Sequence, residues 1–154
     1  MNPKIYNLEE FAAHYHLSDI FGAYAAHCSA TADDSRIFMG AAEERTLFAR
    51  LFLVKQGCCN ILLDGNADGS LELKEGVFVI LSMNDVAELL SVSADFEAEC
   101  VLVDEHFADH ASVYLLSDEK YKSILDIFHF VRDIVRHQHI NKIEMIRSVF
   151  NVLK

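Results

Sequence analysis

The sequence predicts an α+β chain: a mainly antiparallel β-sandwich or barrel followed by a C-terminal pair of α-helices. Three observations carry that prediction. Between residues 46 and 103, short apolar or alternating runs recur about every eight to twelve residues, with turn-forming residues between them. From Ser117 onward the apolar spacing changes from two to three and four. A chain of 154 residues that is 52% hydrophobic, with 11 Phe and one Pro, has ample apolar surface for a packed core and no bias toward disorder.

Taken in order, residues 1–45 alternate weakly. EEFAAHYH and the Ala-rich GAYAAHCSATADD read as loop with one short helix or strand, and His14 and His16 are spaced like neighbours on one face of a strand. TLFARLFLVKQ (46–56) is apolar at both helical and strand spacing, so periodicity leaves its type open. CCNILL, the Asp/Gly-rich stretch after it and SLELKE read as a hairpin, with Leu71 and Leu73 on one face and Glu72 and Lys74 on the other. VFVIL (77–81) is β-branched and aromatic and predicts a buried strand. VAELLSVS follows the SMND turn as another short strand. FEAECVLV (96–103) alternates: Phe96, Ala98, Cys100 and Leu102 are expected inward, and Glu97 and Glu99 outward as solubilising charge rather than an acid–base pair.

Ser117 is a good N-cap, and Asp118 and Glu119 stand in the first turn, where the helix dipole favours them. Tyr121, Ile124, Leu125, Phe128, Val131 and Val135 then form a helical stripe. Ile127 and Ile134 widen it, so this helix can touch two surfaces. RHQHIN interrupts it, and a second helix is expected from about Asn141, carrying Ile143, Ile146, Phe150 and Leu153. That helix is still in stride at Lys154, which predicts a piece of something longer. The expected division is a β-rich body with an irregular N-terminal segment over 1–116 and a helical segment over 117–154.

Charge narrows the function. Residues 1–116 carry 19 acidic and 6 basic side chains, and residues 117–154 carry 5 and 7, within a net charge of −11. An acidic body without a basic stripe is poorly suited to a phosphate backbone, so these residues are not expected to bind DNA themselves. The apolar runs are too short to span a bilayer, and MNPKIYNLEEF lacks the layout of a secretory signal. A cytoplasmic protein without membrane contact is expected. Cys28, Cys58, Cys59 and Cys100 form no CxxC pair and read as reduced small hydrophobes, with Cys58 and Cys59 on opposite faces of a strand. No GxSxG, Walker loop or readable Cys/His dyad occurs, so no catalytic residue and no cofactor are predicted.

DGNADGSLELKE (64–75) satisfies the calcium-loop spacing, with Asp64, Asn66, Asp68, Gly69 and Glu75 in place. A calcium loop needs a helix entering and a helix leaving. Here Gly57–Asn60 are weak helix formers and Gly76 precedes a β-rich run. The stretch is therefore read as a hairpin tip, with a calcium loop as the alternative; what decides is whether residues 58–63 are strand or helix. His106 and His110 would share a helical face beside Asp104, Glu105 and Asp109, the beginning of a zinc site, but no third ligand is evident and a solvated acidic helix is preferred. His137 and His139 fall in the break between the helices, where a cationic side chain suits a helix C-terminus.

The order of pieces resembles a known family. A strand reaching Gly57, the hairpin CCNILLDG…SLELKEG, the strand VFVIL, the phrase SVSADFEAECVLVDEHF with a short helix at EHF, and LSDEKYKSILDIFHFVRDIV opening a helical pair are similar to the N-terminal half of AraC-type transcription regulators. The likeness covers about residues 46–154 and is strongest to the subgroup common in Bacteroidetes-type bacteria. It implies a cupin-like β-barrel of jelly-roll type that holds a small-molecule effector, helices that pair two subunits, and a DNA-reading helix-turn-helix half absent from this chain. Phe78, Ile80, Phe96 and Leu102 are then the candidate barrel-lining residues, which would line a cavity or fill it. Ile124, Phe128, Val131, Val135, Ile143, Ile146 and Phe150 are the candidate dimer interface. Metal-dependent cupins carry His-x-His…Glu at the equivalent hairpin; GCCNILLDGNADGSLELKEG has no histidine, so no barrel metal is expected. The rival readings are a stand-alone metal-free cupin enzyme, a single EF-hand-like calcium module and a ligand-free oligomerisation domain.

Overall fold

Strands dominate the chain up to residue 115, and two helices follow. A computed structural model describes residues 4–33, 44–63, 70–83, 85–106, 111–137 and 142–151. In chain order these form β1 (Lys4–Tyr6), α1 (Leu8–His14), β2 (Ile20–Phe21), β3 (Ala25–Thr31), β4 (Glu44–Thr46), β5 (Ala49–Gln56), β6 (Cys58–Leu63) and β7 (Ser70–Lys74). Then come β8 (Val77–Leu81), β9 (Ala87–Val92), β10 (Glu97–Val103), β11 (Ser112–Leu115), α2 (Asp118–Arg136) and α3 (Lys142–Asn151).

A six-stranded sheet runs β11-β8-β5-β10-β3-β2 and a three-stranded sheet runs β7-β6-β9, antiparallel throughout, while β1 and β4 pair in parallel. This is a cupin-like α+β fold. The sheet is not closed: among the described residues no ladder joins the two larger sheets, so the expected barrel is an open jelly-roll sandwich.

Two cores hold it together. The first lies between the sheets, where Phe11, Phe48, Phe52, Ile61, Leu73 and Phe96 are all buried. Burying each such side chain contributes about 1.5–3 kcal/mol before entropy is subtracted. The second lies on the other face of the six-stranded sheet. Leu51, Leu53 and Val101 of the sheet meet Phe128 and Val131 of α2 and Phe150 of α3, each fully buried. Strands β5, β8 and β10 therefore have apolar contacts on both faces. That is why TLFARLFLVKQ and VFVIL read as continuous rather than alternating, and the open choice at 46–56 resolves to strand.

The local signals behave as their chemistry requires. Asn7 and Glu10 make a capping box on α1, at 2.8 and 3.2 Å. Ser117 caps α2 by accepting from the Lys120 amide at 3.3 Å. Between β5 and β6, Gly57 has φ +74, and a Cβ there would stand 2.5 Å from Ser93 Oγ and 2.9 Å from Phe96 Cα. Only glycine fits.

Several expectations are corrected. Among its described residues the N-terminal segment is not mostly loop: it holds α1, β1, β2 and the start of β4, and β3, which lies between β10 and the edge strand β2 of the main sheet. Its Ala-rich sequence has low strand propensity, and tertiary burial overrides it. His14 ends α1 and His16 takes a left-handed φ of 57, so the two are not strand neighbours. Residues 104–106 are not helical, and residues 107–110, where the rest of the short helix expected at EHF falls, lie outside the described residues.

Candidate functional site

Glu99 lies in the middle of β10, on the face shared with Val101 and Val103, and α2 covers that face. Its outward placement holds, but it meets protein rather than water: it is 3% exposed. The solubilising role expected for it is thus corrected. His27 of β3, register partner of Val101, is also buried, and its Nε2 lies 3.4 Å from Glu99 Oε1. From the helix side, His129 of α2 brings its Nε2 to 3.0 and 3.2 Å from the two carboxylate oxygens. An ionised carboxylate only accepts, so His129 must carry its proton on Nε2, while His27 Nε2 stands near the carboxylate without a hydrogen-bond partner. Burial works to raise the Glu99 carboxyl, but His27 beside it and the charges of His129 and Lys55 together hold it below the usual glutamate value.

A second tie runs alongside. Asp19, just before β2, accepts from Arg136 Nη2 at 2.9 Å and Nε at 3.0 Å, binding the last turn of α2 to the N-terminal segment. The Asp19 carbonyl accepts from the His27 amide at 2.9 Å, and its carboxylate stands 4.0 Å from His27 Nδ1. Between them opens a polar cleft of about 480 Å³ lined by Tyr15, His16, Asp19, His27, Cys28 and Arg136. A third tie holds α3, where Glu105 accepts from Arg147 Nε at 2.7 Å and from the Tyr24 hydroxyl at 2.6 Å. Burial, then that carboxylate, pushes the Tyr24 phenol far above its ordinary value.

Together these contacts form a polar joint between the β-body and the helices. Asp19 touches α2 through Arg136, and His27 lies against Glu99, which His129 of α2 holds. Among the described residues no three His, Cys, Asp or Glu side chains are placed to hold a metal ion, and no helix is long and apolar enough to cross a membrane.

The residues singled out from sequence are distributed differently. Phe96 and Leu102 lie between the sheets, but Phe78 and Ile80 face the other way and pack under the helices, so the four do not line one space. Of the seven helical residues, Ile124, Phe128, Val131, Val135, Ile146 and Phe150 are buried in the chain's own second core, and Ile143 is exposed. The outer apolar surface of the pair is a groove of about 280 Å³ formed by Ile127, Phe130 and Val149 with Asp126 at its edge. Residues 58–63 are strand, paired antiparallel with β7 from Cys58–Lys74 to Leu62–Ser70, so strands flank the calcium-like loop where a calcium site needs helices. Asp64, Asn66 and Asp68 lie outside the described residues, as does His110; Glu75 and His106 are exposed. His27, His129, Asp19 and Arg136 were not found by reading motifs. The available signal was Glu99 itself, the one charge within the apolar run Ala98–Val103.

No protein-family model matches the chain, and no curated protein matches it. Solved structures do. Apo ToxT from Vibrio cholerae aligns at 11% identity and a TM-score of 0.53, covering 84% of this chain and 54% of that one. ToxT from the same organism bound to an unsaturated fatty acid aligns at 12% identity and 0.44, covering 69% and 43%. A vicilin from Solanum melongena aligns at 14% and 0.33, covering 60% and 29%. The chain spans about half the length of the ToxT chains it matches. At such identity the likeness is one of fold.

Proposed function

We propose that this chain is the effector-sensing and dimerisation part of an AraC-type transcription regulator, in which DNA is read by a separate helix-turn-helix half. The observation that carries the reading is the joint: a jelly-roll body fixed to a helical pair by a second core and by Glu99, gripped from β3 and α2 at once. A sensor needs such a connection, because an effector acts only through contacts that differ between two arrangements of the protein. The fold shared with ToxT, an AraC-family regulator, and the order of sequence elements support it.

The inter-sheet space is occupied by Phe11, Phe48, Phe52 and Phe96, so an effector entering between the sheets has to displace side chains. The polar cleft beside Asp19 is the open alternative, and it touches α2 directly through Arg136. Pairing of two subunits falls to the groove of Ile127, Phe130 and Val149, because the other apolar helical face is already buried. The test is a fusion of this chain to a DNA-reading domain that binds its operator only as a dimer. Operator repression that is lost with Phe130→Glu supports the reading; a fusion that is folded, abundant and inactive overturns it.

A further inference from the structure

We propose that Cys28 and Cys100 are a modification site, forming a reversible cross-strand disulfide in response to a peroxide. The two are direct register partners on β3 and β10. Residues so paired stand about 4.5–5.5 Å apart at Cα, inside the range of about 4.4–6.8 Å that disulfides span. Their side chains share one face: Cys100 is fully buried in the inter-sheet core, and Cys28 packs against that core while also lining the polar cleft.

The ladder tells what kind of disulfide this is. The Asp104 amide donates to the Tyr24 carbonyl at 2.8 Å, and stepping two residues along each strand from that pair reaches Leu102–Ala26 and then Cys100–Cys28. The cysteines thus occupy a hydrogen-bonded position, where the strands stand at the wider of the two spacings. Closing an S–S bond there draws the Cβ atoms nearer than the sheet prefers. Such a disulfide is strained and readily reduced, the property of a reversible mark rather than a structural staple.

Access sets the order of events. Cys28, reached through the cleft, is the thiol that meets the oxidant; its sulfur attacks one peroxide oxygen, the S–O bond forms, the O–O bond breaks, and the departing hydroxide takes up a proton as water. The Cys100 sulfur then attacks the Cys28 sulfur, the S–S bond forms, the S–O bond breaks, and a second water leaves. Two thiols lose two electrons and two protons to one peroxide. Cys58 and Cys59 are adjacent on β6, one half-buried and one buried, with side chains on opposite faces. His27 and Glu99 stand one residue along from the pair on each strand, so the crosslink bears on the joint with α2. The proposal goes beyond the regulator reading and stands or falls independently of it.

Treating the reduced protein with hydrogen peroxide, digesting it without reductant and mapping the peptides by mass spectrometry tests this. The expected result is a linked pair containing Cys28 and Cys100, an intact mass lower by two hydrogens, full reversal by dithiothreitol, and no crosslink in Cys28→Ser. Oxygen retained on Cys28 with no link to Cys100, a link confined to Cys58 or Cys59, or an unchanged mass would each overturn it. The wild-type map keeps the test sound should a Cys100 variant fail to fold.

Discussion

Replacing Glu99 with Gln removes one buried charge and keeps the side chain's shape, so it isolates the electrostatic part of the joint. Hydrogen bonds to a charged group contribute about 1.5–3 kcal/mol each. The His129 bond at 3.0 Å belongs at the low end, because that imidazole is 34% exposed and partly screened; His27, buried at 3.4 Å, makes no hydrogen bond to the carboxylate and adds only a close electrostatic contact. Gln recovers part of this by hydrogen bonding through its amide, and the cost of burying a charge disappears. A net loss of about 2 kcal/mol at neutral pH follows, which for a domain of this size lowers Tm by roughly 4–8 °C. The pH dependence gives the sharper signature. The folded-state value of Glu99 is depressed, so between the folded and unfolded values the native state binds fewer protons than the unfolded chain. Its contribution is therefore complete above the unfolded glutamate value of about 4.3 and is lost as the pH falls through the folded value. Calorimetric melting of wild type and Glu99→Gln from neutral to acid pH should show a gap that closes on acidification. A variant as stable as wild type at neutral pH, or two curves falling in parallel in acid, would refute the reasoning.

Other outcomes follow from the packing. Phe128→Ala empties the centre of the second core, where the ring is 0% exposed, and should cost about 3–5 kcal/mol in urea unfolding. Phe130→Ala, at 43% exposure in the outer groove, should change monomer stability by no more than about 0.5 kcal/mol while shifting the mass seen by light scattering from dimer toward monomer. Gly57→Ala places a methyl group 2.9 Å from Phe96 Cα at a φ of +74, and should destabilise the chain by more than about 1 kcal/mol in the same unfolding assay. Since strands flank the calcium-like loop, millimolar calcium should leave the Tm unchanged; a rise of several degrees would show that the loop binds the ion after all.

The strands from β6 to β10 were legible because turn residues separate them: Gly57, Gly76, SMND and SAD each mark a reversal. The helices were legible from their caps and spacing. Strand β3 was not, since Ala25, Ala26 and Ala30 signal neither strand nor burial in isolation, and their reason for being small lies in residues far away in sequence. Face assignment failed for a different reason. Alternation separates a buried face from a wet one, but with helices over the main sheet both faces are dry. Alternation alone consequently puts Phe78 and Ile80 on the wrong side and leaves Glu99 to solvent. The joint itself joins residues 19, 27, 99, 129 and 136, and no local spacing announces contacts of that range.

That joint bears on why the helices sit where they do. Apolar burial is non-directional and close to proportional to area, so the second core alone would allow α2 to slide or rotate on the sheet at modest cost. Glu99 removes that freedom. Any shift that carries His129 away leaves a buried carboxylate short of a donor, and an unsatisfied buried charge costs more than the pair gives when formed. Arg136 on Asp19 and Arg147 on Glu105 add two further fixed points toward the ends of α2 and α3. Three directional contacts on an apolar bed make one docked position much better than its neighbours. The same three contacts are what an effector in the cleft, or a bond between Cys28 and Cys100, would have to disturb for the helices to take up another.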